Sequence, residues 1–407
     1  MSGDGSAADA LAGIRVVECG DFVSSSFAAK QLADLGAEVI KIETPGVGDT
    51  ARRRGPYAAG VDPERSGLFL YLNTNKHGVA VDLARAEGRE ILARLARTAD
   101  LVIHNVAPGA IAELGLDDRQ LRAAKPELVV TSISPFGLDG PHRDLRMHDL
   151  NLWAAGGVAT LNGGGHGSDD MPPLKGFGQQ AGYQAGLNAA VASLGALYAA
   201  LGSGEGQLVE VSIQECLTSI LEMAYEFYPY MGLVASRLGM KPIQPLDFLE
   251  CKDGWIFICC VEEHQWQRFV ELAGSPEWAT MDLFENRLSR AANWDALQIF
   301  LSEYAAEHTV AGLYAKAQAR RIPFAPVSTM GDLLGSEHLK TRGFFATLDD
   351  GAGGSVVMPG APYRHGTTPW RIRKRAPRLG EDTDRVLTEL GYAAEQVAQL
   401  RAAGVVA

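Results

Sequence analysis

Over its first 134 residues the chain repeats one pattern, a short β-branched run, a stretch with helical apolar spacing, then another β-branched run. "IRVVEC" (14–19) is followed by "SSSFAAKQLADLG" (24–36), which has helical apolar spacing, a serine N-cap and a closing glycine, and then by "AEVIKIE" (37–43). "GVAVDL", "EGREILARLARTA" and "DLVIHN" repeat the unit, and a further helical stretch leads to "LVVTSIS". Strands joined through single helices are carried back to begin parallel neighbours, and the helices then cover both faces of the sheet. The pattern predicts an α/β domain.

The nucleotide-binding version of that domain has a specific first turn. A nicotinamide site needs G-x-G-x-x-G after the first strand, where the backbone approaches the pyrophosphate. Here the turn reads "CGDFVSSS", so that fingerprint is absent, although a serine-capped helix end still offers free N–H groups to an anion. Further on, residues 183–202 are small and apolar on nearly every face, as a helix buried between layers or subunits requires. "GSGEGQ" reads as a hairpin turn, since no G-K-[ST] follows, and "LVEVSI" as a strand. A second unit is expected to begin near "EMAYEFYPYMG" and to hold strands around a "KDGW" turn and helices at "HQWQRFVELAG" and "WDALQIFLSEYAAEH". "RRIPFAPVST", with two prolines, suits a linker or edge strand; strands return at "GFFATL" and "GGSVVMPG", and "TDRVLTELGYAAEQVAQLRAAG" is helical. The expected boundaries are 1–220, 221–330 and 331–407.

Composition narrows the function classes. At 407 residues more than one globular unit is expected, and a formal charge of −12 disfavours a nucleic-acid or acidic-membrane partner. No apolar run approaches the roughly 20 residues a membrane span requires. "MSGDGSAADA" lacks the regions of a signal peptide, so a cytoplasmic protein is expected. Five cysteines without C-x-x-C spacing read as buried thiols, and nine histidines without H-E-x-x-H spacing predict no metal site.

Eight phrases, in order, resemble the class III CoA-transferase family, which includes formyl-CoA transferase, carnitine CoA-transferase and α-methylacyl-CoA racemase. They are "LADLGAEVIKIE", "LNTNKHGVAVDL", "ADLVIHNVAPGAIAELGL", "SISPFGLDGP", "GEGQLVEVSIQE", "CKDGW", "IPFAPV" and "APRLGEDTDRVLTELGY", spanning about residues 11 to 395. The resemblance implies a Rossmann-like large domain built from both ends of the chain, a smaller α+β domain in the middle and an interlocked dimer. It also implies a coenzyme A thioester as substrate, with no permanently bound cofactor, and a carboxylic acid as its partner.

In that family an aspartate four residues before the glycine of the long apolar helix attacks the thioester, a task a carboxylate performs because the acyl group leaves it as readily as it arrives. Counting back from Gly186 places Gly182 there. Asp169 or Asp170 would take the role if the alignment slipped, and an αL glycine could instead present a backbone N–H to substrate. On the CoA side, Pro45 and Glu113 stand where the family often has basic residues, leaving Asn105, Arg146, Arg52, Lys76, Val23 and Ser24 as the candidate CoA contacts. The racemase branch resembles this chain at His148, Asp149 and Glu262, a histidine and acids suited to moving a proton at Cα. A buried, hydrogen-bonded histidine is the structural alternative. Three functions follow: the aspartate-less subunit of a heteromeric transferase such as benzylsuccinate CoA-transferase, beside a paralogous subunit; an epimerase or isomerase using His148 and Glu262; or a non-catalytic CoA-binding module, with a homodimer as the other assembly.

Overall fold

The computed structural model describes residues 9–58, 60–163, 171–237, 244–350 and 352–407. Asp169 and Asp170 lie outside the described residues. Two compact units emerge. One comprises Met1–Asn162, Pro173–Ala235 and Gly343–Ala407, the other Gly163–Pro172 and Ser236–Arg342, so 221–235 fall in the large unit and 331–342 in the small one.

In the large unit the expected alternation is realised as β1 (Arg15–Glu18), α1 (Ser24–Asp34), β2 (Glu38–Glu43), α2 (Gly67–Leu72), β3 (Lys76–Ala80), α3 (Ala86–Thr98), β4 (Leu101–His104), α4 (Asp118–Ala124) and β5 (Val129–Ser134). Then come α5 (Asp149–Ala155), α6 (Val158–Leu161), α7 (Gln180–Ser203), β6 (Leu208–Ser212), α8 (Ile213–Thr218) and α9 (Met223–Met231). The six strands are all parallel, in the order β3-β2-β1-β4-β5-β6, so the chain reverses its winding between β1 and β4. Successive residues bury opposite faces, as a strand's two-residue period demands. Val16, Val39, Ile103 and Val129 pack with α1 and α7, whereas Val17, Ile40, Val102 and Val130 pack with α3 and the C-terminal helices.

Two sequence expectations change here. "GSGEGQ" is not a hairpin turn, because β6 pairs parallel to β5; it is the exit from α7, with Gly204 in the left-handed region and Gly206 so close to Leu128 that a Cβ would lie 2.0 Å from its carbonyl oxygen. The N-cap of α1 is Val23 without a side-chain bond, and Ser24, Ser25 and Ser26 lie buried in its first turn.

α7 is 24 residues long and apolar enough, by length and composition, to cross a membrane, which corrects the expectation that no run approaches that length. One stripe of it, Ala181, Ala185, Ala189, Ser193 and Ala200, is buried at helical spacing, and Gly186 lets α1 approach, since a Cβ there would stand 2.8 Å from the Ser24 carbonyl oxygen. Its other side leaves Val191, Tyr198 and Leu201 more than two-thirds exposed.

The small unit contains β7 (Leu246–Cys251), β8 (Gly254–Cys259), α10 (Glu263–Leu272), α11 (Arg287–Ala292), α12 (Trp294–Ala306), α13 (Val310–Ala319), β9 (Ala325–Pro326), α14 (Met330–Gly335) and α15 (Glu337–Thr341). β7 and β8 form the hairpin expected at "KDGW", and the proline-containing β9 is an edge strand, where a missing N–H costs no central ladder bond. Leu249, Ile256, Ile258, Phe269, Leu301 and Leu313 belong to its own core. The chain then returns to the large unit through the hairpin β10 (Phe345–Asp349) and β11 (Ser355–Pro359), followed by α16 (Thr383–Glu389) and α17 (Ala394–Ala402). Gly391, at φ +86°, separates the last two helices, which the sequence reads as one stretch.

Strands β1, β2 and β3 are tied together by buried charge. Glu18, with no exposed surface, accepts bonds from Lys41 Nζ and Lys76 Nζ, each at 2.7 Å. Lys76 spends its other donors on the Ser26 carbonyl (2.8 Å) and Asn73 Oδ1 (2.9 Å), and Lys41 also pairs with Asp49 at 2.8 Å. Burial opposes ionisation of Glu18, but the two ammonium groups outweigh it and hold its carboxyl down to about 2. Burial pushes Lys76 down to about 8. Because the folded pKa of Glu18 lies below its ordinary 4.5, its stabilisation is complete above pH 4.5 and is lost as pH falls towards 2. Glu18→Gln strips the charge from between two buried cations, with an expected cost of about 3 kcal/mol in urea denaturation at pH 7. The wild-type stability should fall across pH 4.5 to 2 more steeply than that of the variant.

Candidate active site

In an open parallel sheet, the crevice lies beyond the carboxyl ends of the strands where the winding reverses. Asp21 and Phe22, after β1, and Asn105, after β4, stand at that point. Asn105 fastens the two edges: Oδ1 accepts from the Asp21 N–H at 2.9 Å, and Nδ2 donates to the Asp21 carbonyl at 2.7 Å and Ser24 Oγ at 3.0 Å. Phe22 holds a left-handed φ of +64°, rare for a side-chain-bearing residue, and its N–H donates to Asp49 Oδ1 at 3.0 Å. The buried ion network thus reaches the rim of the crevice through Asp49.

Two cavities open there and share Asp21 and Asn105. The first, about 460 Å³, is walled by Thr44, Val47, Arg53, Val81, Leu83 and Leu114, from the loops after β2, β3 and β4. The second, about 380 Å³, contains Val23, Ser24, Arg54, Met147, His148, Asp149, Lys175 and Gly182. Ile133, Leu152 and Ile213 give it apolar walls.

The second cavity is built around the N-terminus of α7. Gln179 caps that helix without a side-chain bond, leaving first-turn N–H groups to be satisfied from elsewhere. Asp149, at the start of α5, supplies the acceptor: Oδ2 takes the Gly182 N–H at 3.2 Å, and Oδ1 pairs with Lys175 Nζ at 2.8 Å. Lys175 also donates to the carbonyls of Gly176 and Gly178. A carboxylate therefore does stand beside position 182, delivered from a different helix, where the dipole of α7 favours negative charge. A Cβ on Gly182 would lie 3.1 Å from both Cβ and Cγ1 of Val23, so the space left by the glycine is tight.

Of the residues singled out in the sequence, Val23, Ser24, Asn105, His148, Asp149 and Gly182 come together in this cavity. His148 is exposed, and its ring makes no hydrogen bond among the described residues; its backbone N–H donates to Asn151 Oδ1 at 3.3 Å. It is not the buried, satisfied histidine of the alternative. Arg146 is exposed on the segment before α5 and lines neither cavity. Glu262 caps α10 in the small unit, its N–H bonded to Gln265 Oε1 at 3.1 Å.

Arg52 and Lys76 do not reach the crevice, a correction to their expected role as CoA contacts. Lys76 is buried on Glu18, as described, and Arg52 forks onto Glu43 at 2.7 and 2.8 Å, reaches Glu64 at 2.8 Å and lies 3.6 Å over the Phe69 ring. Charges so paired are parts of the fold. Sequence reasoning passed over Arg53, Arg54 and Lys175. The first two sit in the run "ARRRG", whose three adjacent arginines are alike in sequence and are separated only by the turn at Thr50–Arg53. Among the described residues no three metal-ligating side chains converge.

A reversal-point crevice with two joined cavities is where α/β proteins of this class take an extended ligand. The model of CoA-transferase family III matches residues 11–383, and the chain belongs to that family of enzymes, whose substrates are CoA thioesters. The chain is similar to the succinyl-CoA:(R)-benzylsuccinate CoA-transferase subunit BbsE of Thauera aromatica, at 34% identity over 93% of this chain and 94% of the relative. It is similar also to the succinyl-CoA–L-malate CoA-transferase alpha subunit of Chloroflexus aurantiacus, at 31% identity over 97% and 92%. Among solved structures, a CAIB/BAIF family protein from Brucella suis superimposes with a TM-score of 0.84, at 29% identity over 94% of this chain and all of the other.

Asp149→Asn removes the anion from the first turn of α7 and leaves Lys175 without its partner. The expected loss is about 1–2 kcal/mol of stability in chemical denaturation.

Proposed function

We propose that the chain is one subunit of a class III CoA-transferase, exchanging CoA between an acyl-CoA and a carboxylic acid, and that a paralogous subunit brings the nucleophilic aspartate for which Gly182 leaves no side chain. The observation that carries this reading is the first turn of α7: glycine at 182, packed closely against Val23, with its N–H occupied by an Asp149 carboxylate that Lys175 holds in place. Such a carboxylate is spent on a helix end and an ion pair, whereas a nucleophile must be free to take up and release an acyl group.

The CoA nucleotide enters the first cavity and the thioester reaches the second, a path supported by the Asp21 and Asn105 boundary common to both. Arg53 stands in the first cavity as a cation for phosphate, a place the family resemblance had not marked. Assembly with a second chain is supported by the exposed apolar face of α7 and by Met223, Tyr225, Tyr228 and Tyr230 on α9, each more than half exposed. Two relatives, BbsE and the malate enzyme's alpha subunit, are themselves named as subunits. The protein acts on soluble small molecules in the cytoplasm, without nucleic acid or membrane as partner.

Purified alone, the chain should exchange no CoA between acyl-CoA donors and acid acceptors, and it should gain exchange when co-purified with a paralogous subunit that has aspartate at the matching position. Full turnover by the isolated chain would sink the proposal. Gly182→Asp alone meets Val23 at 3.1 Å, so Gly182→Asp/Val23→Ala is the better test of latent competence. If the rest of the cavity is intact, that double variant gains measurable exchange without a partner.

A further inference from the structure

We propose that the chain has a second binding site, for a small uncharged amide, at the carboxyl ends of β4 and β5 on the sheet face that packs with α3. The site is a cavity of about 210 Å³ that shares no lining residue with either crevice cavity, and it does not depend on what the crevice binds.

His104 closes β4 and pairs in register with Ser132 of β5. The two-residue period puts both on the sheet face of Val102 and Val130. Both line the cavity and are buried to 1% exposure or less. Neither ring nitrogen of His104 nor the Ser132 Oγ has a hydrogen-bond partner among the described residues. Polar groups so buried are normally paired, and an unpaired one costs stability. Such local violations concentrate at functional sites. His104 directly precedes Asn105, so this cavity and the crevice meet at one strand end.

The unpaired atoms define the ligand. Burial holds the His104 imidazole down to about 4, so at neutral pH it is uncharged, with one N–H to donate and one lone pair to accept. The Ser132 hydroxyl can also do both. Charged side chains line the cavity, but each is engaged on the protein: Arg143 lies 3.7 Å from Asp144, Asp118 pairs with Arg122 at 3.5 Å, and Asp117 accepts the Gln120 N–H at 3.1 Å. An ion beside His104 and Ser132 would lose hydration uncompensated, whereas an amide brings a donor and an acceptor without charge. Pro108, Ile111, Leu116, Leu138 and Leu208 supply apolar walls. A buried water needs about two to four polar partners and finds few against those walls, while an amide on a small ring suits both parts of the cavity. The volume lies below the roughly 300 Å³ of drug-sized pockets, which limits the ligand to about one ring.

Ligand-observed NMR titration of the full chain with benzamide, benzoate and toluene tests this, because the three share a ring and differ in carrying an amide, an anion or a methyl. Benzamide is expected to bind about tenfold or more tightly than either of the others, equally with and without an excess of CoA. His104→Phe should weaken benzamide about tenfold or more, and Ser132→Ala about threefold, whereas His104→Gln, which keeps a donor and an acceptor, should retain part of the binding. If His104→Phe fails to fold, Ser132→Ala decides alone. Absence of saturable benzamide binding would mean that the cavity takes only water, and the proposal would be overturned. Displacement of benzamide by CoA would overturn it by placing the ligand in the crevice, as would binding unchanged in both His104→Phe and Ser132→Ala. Benzoate binding as tightly as benzamide would make this an anion site and overturn it as well.

Discussion

A carboxylate with no exposed surface, Glu18, sits between two equally buried ammonium groups at the end of the first strand, and the site side of the sheet is assembled from it. The relay is continuous. Lys41 passes the charge to Asp49; Asp49 holds the N–H groups of Phe22 and Ala51 and donates its own to Glu43; Glu43 grips Arg52, which reaches Glu64 and the Pro377 carbonyl. Desolvating so many ions is costly, and breaking one pair leaves its partner stranded. The arrangement holds the strained Phe22 turn and turns Arg52 inward, and through Glu43 and Asp49 it forms part of the wall of the first cavity.

The catalytic question turns on a substitution of position. The chain keeps a carboxylate at the mouth of α7, but Asp149 carries it on α5 and gives it to the Gly182 N–H and to Lys175. An anion there satisfies the helix end and stabilises the turn, yet it is fixed where a nucleophile would have to be free. Glycine at 182 is compatible with that economy, since any side chain would press on Val23. The histidine beside it, His148, remains exposed in the same cavity, while Glu262 caps a helix of the other unit.

Much of the fold was legible because it rests on local periodicity. The β-branched runs and helical stretches of the first 134 residues became β1 to β5 and their crossovers nearly as read, and the "KDGW" hairpin and the edge strand at the paired prolines followed from turn chemistry. Where a reading failed, the deciding contact lay far away in sequence. "GSGEGQ" looked like a hairpin because its glycines are the same in either setting, and only pairing with β5 shows that it ends a helix. Arg52 and Lys76 looked like phosphate ligands because a basic residue beside a strand end is ambiguous; their acidic partners lie 9 and 58 residues away.

The sequence by itself determined the α/β class, the family and the residue that stands at 182, because these are written in short-range patterns and in phrases that keep their order. Tertiary structure decided which charges are consumed by the fold and which face the ligand. Ion pairing depends on the order of strands in the sheet, and that order brings β3 to β2, and β2 to β1, so that Lys76, Lys41 and Glu18 converge. It left Arg54 facing the cavity only after Arg52 had been turned inward, a choice made by a single turn of backbone that three identical side chains cannot announce.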